Sequence, residues 1–240
     1  MTRELVDEPM PSWHRALIDS YSEADLMWLE ADGIIRELSG GKRGLDDFAD
    51  TFFDGGGEKA SLYDFNDVVA GLEKVQHYDW ATFLHARIDS VAPAAPADWL
   101  RRSGYRLVFS DTATPEYVEH ERKTNRVDLT TSIGVMLHGG DSGEVSAVIW
   151  ESPAFNAGIV EGATIVAVNG ERYETAKLRT AILGNHNGGA PIRLLVSSRG
   201  QQREVTIDYR GGLRYPRLER DSGMRDRLGG LLMPRAAAGK

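Results

Sequence analysis

The chain has 240 residues, with 28 Lys and Arg against 36 Asp and Glu, and no cysteine. The lack of cysteine excludes a disulfide scaffold, a Cys-ligated zinc site and a thiol nucleophile. Residues 1–100 carry 20 acidic against 8 basic side chains, which argues against a nucleic-acid surface in that half because phosphate binding needs clustered Lys and Arg. No apolar run reaches the roughly 20 residues that span a bilayer, so we expect no membrane span.

The first hundred residues have helical periodicity. Ser20 and Glu23 fit a capping box, which predicts that a helix begins at Ser20. A second helix is predicted over 45–53, and Asp64 and Asp79 are predicted to cap two further helices. The Pro- and Ala-rich segment 93–97 is predicted to be a linker.

From residue 104 the apolar period changes to two. Strands are predicted at 105–110, 132–137, 144–150, 164–168, 192–198 and 204–209, with short helices after Pro115, Pro153 and Thr175. Asn169-Gly170 is typical of a type I′ hairpin. The sequence thus predicts an α+β protein of two units, an all-α segment followed by a unit of closely spaced strands. The Arg-rich segment 210–240 is predicted to be a loosely ordered tail.

One motif is specific: Ser152-Pro153-Ala154 and Ala157-Gly158, followed by Gly162, Ile165 and Val168-Asn169-Gly170, with Ile133-Gly134 upstream. Residues 132–209 resemble a PDZ domain, most closely those of bacterial proteases, and this implies a β-sandwich or partly open barrel with two helices. In such domains a peptide adds as a strand, and loop amides hold its terminal carboxylate. The resemblance implies that a peptide or protein C-terminus binds this set: Ser132, Ile133, Gly134, Val135, Met136, Leu137, Lys177, Leu178, Ala181 and Ile182. Leu178 and Ile182 are equally consistent with a core role.

The wider chain resembles the C-terminal portion of glycyl aminopeptidase-type metallopeptidases of the thermolysin-like clan. The resemblance rests on Tyr21-Ser22-Glu23, Leu38-Ser39-Gly40-Gly41, Tyr78-Asp79-Trp80 and Gly211-Gly212-Leu213. It implies that 1–92 are the end of the catalytic domain, 93–131 a linker, 132–209 the PDZ domain and 210–240 the tail. It also assigns to Tyr21 an oxyanion-stabilising role in a complete enzyme, although Ala24 stands where the family has Gly.

The family's zinc motif, H-E-x-x-H, is missing from the sequence. We therefore expect no metal in this chain, zinc only in the full-length parent, and no peptide hydrolysis by the chain alone. Its partners would be a peptide C-terminus and the upstream catalytic domain.

Two alternatives stay open. The chain is a stand-alone peptide-binding adaptor, or its PDZ fold is structural, with the groove filled by the preceding segment or the tail. The N-terminus lacks a signal peptide, so we expect either a cytoplasmic protein or a fragment whose signal lies upstream, as in periplasmic or secreted relatives.

Overall fold

The structure is a computed structural model that describes residues 17–53, 62–89 and 98–232, with side chains of the first helix from residue 24 onward. The predicted linker 93–97 and the last eight residues lie outside it. The α+β class is confirmed, and none of the sheets in the described residues closes into a barrel. The chain divides into two compact units. We call 107–217 the β-rich unit, and the described parts of 18–106 and 218–232 the helical unit.

The helical unit contains six helices among its described residues. Asp64 and its partner Asp67 form a capping box, and the Asp79 side chain accepts the N–H of Thr82, so both predicted caps are confirmed. Ser20 lies within the first helix, which is described over Leu17–Leu38, so it is not the N-cap and that prediction is wrong. The helices are α1 (Leu17–Leu38), α2 (Leu45–Phe53), α3 (Phe65–Val75), α4 (Trp80–Ile88), α5 (Asp98–Ser103) and α9 (Leu228–Leu232).

Two carboxylates are buried in the helical unit. Glu30 is 3% exposed and accepts two hydrogen bonds of 2.8 Å from Arg87. Asp32 accepts 2.6 Å and 2.8 Å hydrogen bonds from Arg36 and from the N–H of Leu45. Each buried charge is therefore paired, as burial requires.

The β-rich unit holds a three-stranded and a four-stranded antiparallel sheet around one core. Asn169 and Gly170 have φ of 51° and 86°, so both turn residues of the hairpin take the positive φ that a type I′ turn needs. Its elements are α6 (Pro115–Thr124), β2 (Arg126–Leu129), β3 (Val135–His138), β4 (Val145–Val148), α7 (Pro153–Asn156), β5 (Thr164–Val168), β6 (Glu171–Arg172), α8 (Thr175–His186), β7 (Ile192–Ser198) and β8 (Gln201–Ile207).

A further pair of strands, β1 (Tyr105–Ser110) and β9 (Tyr215–Arg220), forms a two-stranded sheet. The strand orders in the other two sheets are β2-β3-β4 and β6-β5-β7-β8. The division between the units falls within β1 and within β9.

Two predicted boundaries differ from the structure. Residues 107–131, expected in a linker, belong to the β-rich unit, and Val127 and Leu129 lie in its core. The predicted loose tail is wrong for its first part, because Leu213 and Tyr215 are only 7% and 4% exposed and insert into the same core. Because this segment is rich in Arg, the burial of its two apolar residues, Leu213 and Tyr215, was not predicted from the sequence.

Candidate functional site

The predicted carboxylate loop, Ser132 to Val135, is buried and bonded to its own chain. The N–H groups of Ser132 and Gly134 both donate to the carbonyl of Leu129, at 3.1 and 3.0 Å. The Ser132 hydroxyl oxygen accepts the N–H of Arg214 at 3.1 Å. Two of the four predicted amide donors therefore have an acceptor from the preceding segment, and the tail covers the loop's hydroxyl.

Gly134 has a steric reason to be glycine. Its φ is +84°, and a Cβ built there would lie 2.0 Å from the Cβ of Ser152. Ser152 is fixed because its hydroxyl caps α7 by accepting the N–H of Phe155. Close packing of two backbone segments thus explains this glycine without reference to a ligand.

The predicted docking edge, Val135 to Leu137, is paired on both sides. β4 lies on one flank of β3. On the other flank β2 runs antiparallel, with Leu129 opposite Val135 and Val127 opposite Leu137. The structure thus leaves neither edge of β3 open for an added strand.

The outer edge of β2 is covered by side chains rather than by a further strand. The Glu121 carboxylate accepts the N–H of Asp128 at 2.8 Å, and the Tyr117 hydroxyl donates to the Asp128 carbonyl at 3.2 Å. Glu121 also accepts two hydrogen bonds, of 2.9 and 2.8 Å, from Arg179 on α8. We call Tyr117, Glu121, Asp128 and Arg179 the Glu121 cluster. Through it, contacts run from α8 through α6 and β2 to β3.

The phenol of Tyr117 has a raised pKa. Burial first, and then the negative charge of Asp128, raise the pKa of its phenol above the ordinary range. The hydroxyl is therefore protonated and able to donate at neutral and moderately alkaline pH.

The four predicted residues of α8 are split between two environments. Leu178 and Ile182 are fully buried in the core of the β-rich unit. Lys177 and Ala181 line a surface groove of about 600 Å³ that also includes Asn169 and Arg193. The ten predicted peptide-binding residues thus do not form one open crevice.

Lys177 is held by neighbouring carboxylates. Its ammonium group lies 2.9 Å from Glu174 and 3.0 Å from Glu171. Hydrogen bonds to Glu174 and then Glu171 raise the pKa of Lys177. This lysine therefore stays protonated and is ion-paired with two carboxylates of its own chain.

The structure does not test the catalytic assignment. Tyr21 lies in α1, but its side chain is outside what the structure describes. Over 17–53, 62–89 and 98–232, no group of three or more His, Asp or Glu side chains is arranged to hold a metal ion. Three of the described histidines have other partners: His77 pairs with Glu73, His85 pairs with Asp89, and His186 contacts the carbonyl of Arg210 at 2.5 Å.

The Glu121 cluster is the feature that motif reasoning missed. Its signal in the sequence is short: Val127 and Leu129 alternate with polar neighbours over only four residues. Asp141 was also missed in its structural role, because it caps α8 from a distant loop by accepting the N–H of Thr175 at 2.8 Å.

No helix in the described part of the chain combines the length and apolar character needed to cross a membrane. No family model matches the sequence, and no curated protein matches it.

Among solved structures, the chain is similar to an aminopeptidase N family protein from Idiomarina loihiensis, with a TM-score of 0.63 and 16% identity. That similarity covers 89% of this chain and 36% of the other. A second match is the HtrA3 PDZ domain bound to a phage-derived ligand, with a TM-score of 0.24, 23% identity, and coverage of 50% of this chain and 88% of that domain. This chain therefore shares the fold of roughly the third of the aminopeptidase N family protein that it covers.

Proposed function

We propose that this chain is the C-terminal part of a larger zinc aminopeptidase and does not itself contain the zinc site. The observation that carries the proposal is the fold shared with an aminopeptidase N family protein over 89% of this chain but only 36% of that protein. The resemblance of Tyr21–Glu23 and of 211–213 to glycyl aminopeptidases supports the same parent. In that parent, 1–92 would end the catalytic domain and 132–209 would be the PDZ domain.

The parent reaction would be zinc-dependent removal of N-terminal residues from peptides, with a preference for small residues such as glycine. The described residues of this chain do not fit the zinc ion, because they hold no suitable cluster of ligands. The metal and the general base would come from sequence outside this chain. Here the helical unit would support that site, and Tyr21 would stabilise the oxyanion.

The β-rich unit would serve as a packing module beside the catalytic domain. The pairing of β3 on both flanks supports this role over capture of free chain ends. Binding of a peptide C-terminus at 132–137 and α8 would require β2 to leave. The stand-alone adaptor is therefore the weaker alternative.

The size of the native protein tests the proposal. Antibodies raised against this chain should detect a species well above 26.5 kDa in extracts of the source cells. The precipitated species should hydrolyse a glycyl arylamide, lose activity with a zinc chelator and regain it with zinc. Pre-immune serum is the control. A native species of 26.5 kDa without this activity would contradict the proposal.

A further inference from the structure

β2 has the direction and position of a bound peptide strand. It runs antiparallel to β3, and its last residue, Leu129, lies next to the loop 132–134. The Leu129 carbonyl accepts the N–H groups of Ser132 and Gly134. A backbone oxygen at the end of β2 therefore uses the amide donors that would otherwise be available to the carboxylate of an added chain end.

The side chains of β2 follow the pattern of a strand ligand. Val127 and Leu129 are 6% and 0% exposed and insert into the core. Arg126 is exposed and Asp128 half-buried. Two apolar residues at alternate positions thus provide the whole hydrophobic attachment of this strand.

Helix α6, which precedes β2, is attached mainly by polar contacts. None of its residues is buried. The Glu121 carboxylate bridges Arg179 and the N–H of Asp128, and Tyr117 donates to Asp128 while its ring packs against Tyr215 at 5.2 Å. The polar part of the attachment of α6 and β2 therefore centres on one ion pair, between Glu121 and Arg179.

That ion pair is poorly solvated and incompletely satisfied. The side chains of Glu121 and Arg179 are 11% and 30% exposed. The Arg179 Nε is buried without a hydrogen-bond partner. Removing one charge leaves the other without its counterion in a poorly hydrated place, which favours release of α6 and β2.

We infer that β2 is an internal ligand of β3 and that the Glu121–Arg179 pair keeps it bound. When the pair is broken, an extended peptide with a free C-terminal carboxylate replaces β2. The peptide that fits has apolar residues at its last position and two positions earlier, as Leu129 and Val127 have. The inference goes beyond the proposed function, because it describes how the β-rich unit is closed whether or not the chain belongs to an aminopeptidase.

The test uses the full 240-residue chain and a fluorescein-labelled peptide with the sequence of 124–129, Thr-Asn-Arg-Val-Asp-Leu. Binding is measured by fluorescence anisotropy for the wild type, Glu121→Gln and Glu119→Gln. Glu119 is the matched control, because it lies on the same helix but pairs only with Arg122 and Lys123. Hydrogen exchange of β2 and β7 is followed in the same proteins.

We expect Glu121→Gln to bind the free-carboxylate peptide at least about tenfold more tightly than the wild type or Glu119→Gln. Amidation of the peptide should weaken binding, since it removes the charge that the loop amides bind. Exchange of β2 should accelerate while that of β7 stays unchanged.

Equal binding by all three proteins would overturn the inference, and so would indifference to amidation or equal acceleration in β2 and β7. Should Glu121→Gln fail to fold, Arg179→Gln decides, because it breaks the same ion pair from the side of α8. The native size of the protein has no bearing on these outcomes, so the two proposals fail separately.

Discussion

Replacing Gly134 by alanine tests whether the loop before β3 is shaped by packing. The residue has φ +84°, and an added Cβ would lie 2.0 Å from the Ser152 Cβ and 2.2 Å from its Oγ. Ser152 cannot move freely, because its hydroxyl accepts the N–H of Phe155 at 3.2 Å and starts α7. One of the two backbone segments must therefore shift.

The expected cost has two parts. The left-handed backbone conformation costs an L-residue about 1–2 kcal/mol. Forcing an extra methyl group into a packed site costs about 1–3 kcal/mol more. Gly134→Ala should therefore destabilise the β-rich unit by about 2–5 kcal/mol. Gly140→Ala is the matched control, because Gly140 has φ +68° with no atom within 4 Å of the added Cβ, so only the backbone part applies.

Native-state hydrogen exchange of β3 and β7 measures the free energy of opening in this unit alone. Ser152→Gly removes the atoms that clash and should cost only a few tenths of a kcal/mol at a helix N-cap. The double variant Gly134→Ala/Ser152→Gly should then be more stable than Gly134→Ala by about 1 kcal/mol or more. Equal losses for Gly134→Ala and Gly140→Ala, or no recovery in the double variant, would refute the steric explanation.

Three further predictions concern buried charges, alkaline pH and a helix cap. Arg87→Met should destabilise the helical unit by about 2–3 kcal/mol in urea unfolding, because it leaves the buried Glu30 carboxylate without its counterion. The double variant Glu30→Gln/Arg87→Met should recover part of that loss. A smaller effect of the single variant would contradict the prediction. Burial raises the pKa of Tyr117 in the folded protein, so the phenol ionises first in the unfolded chain. Its contribution to the free energy of unfolding is therefore complete below about pH 10 and is lost as the pH rises further. Tyr117→Phe should make alkaline unfolding of the β-rich unit less steep, and an unchanged pH profile would exclude this phenol. Asp141→Ala removes the acceptor for the N–H of Thr175 and should cost about 1 kcal/mol, with faster exchange at the start of α8 but not at β2.

Local signals in the sequence identified the features that depend on neighbouring residues. The caps at Asp64 and Asp79 and the turn at Asn169-Gly170 were predictable because cap and turn geometry depends on a few adjacent side chains and φ angles. The position of Ser20 in α1 was not predictable, because a serine can cap a helix or lie within one. Only the backbone conformation distinguishes the two cases.

The candidate site depended on contacts between distant residues, which the motifs did not contain. The motif around Ile133-Gly134 gave no information on whether the flank of β3 was free. That flank is covered by β2, whose outer edge is bonded to Glu121 and, through it, to Arg179, which lies 58 positions away. Leu178 and Lys177 are adjacent in sequence but face the core and a surface groove respectively. Residue types alone could not separate these environments.

The helical unit is assembled from both sides of the β-rich unit along the sequence. Arg227, far beyond β8, donates to the carbonyl of Arg102 at 2.7 Å. A ribosome adds about 5–20 residues per second, so residues 107–217 take very roughly 5–20 s to synthesise. During that interval α5 lacks this late contact, although α1 to α4 already hold every residue of their own core cluster. Docking of α5 should thus be a late step in the folding of the helical unit, after the intervening module has been synthesised.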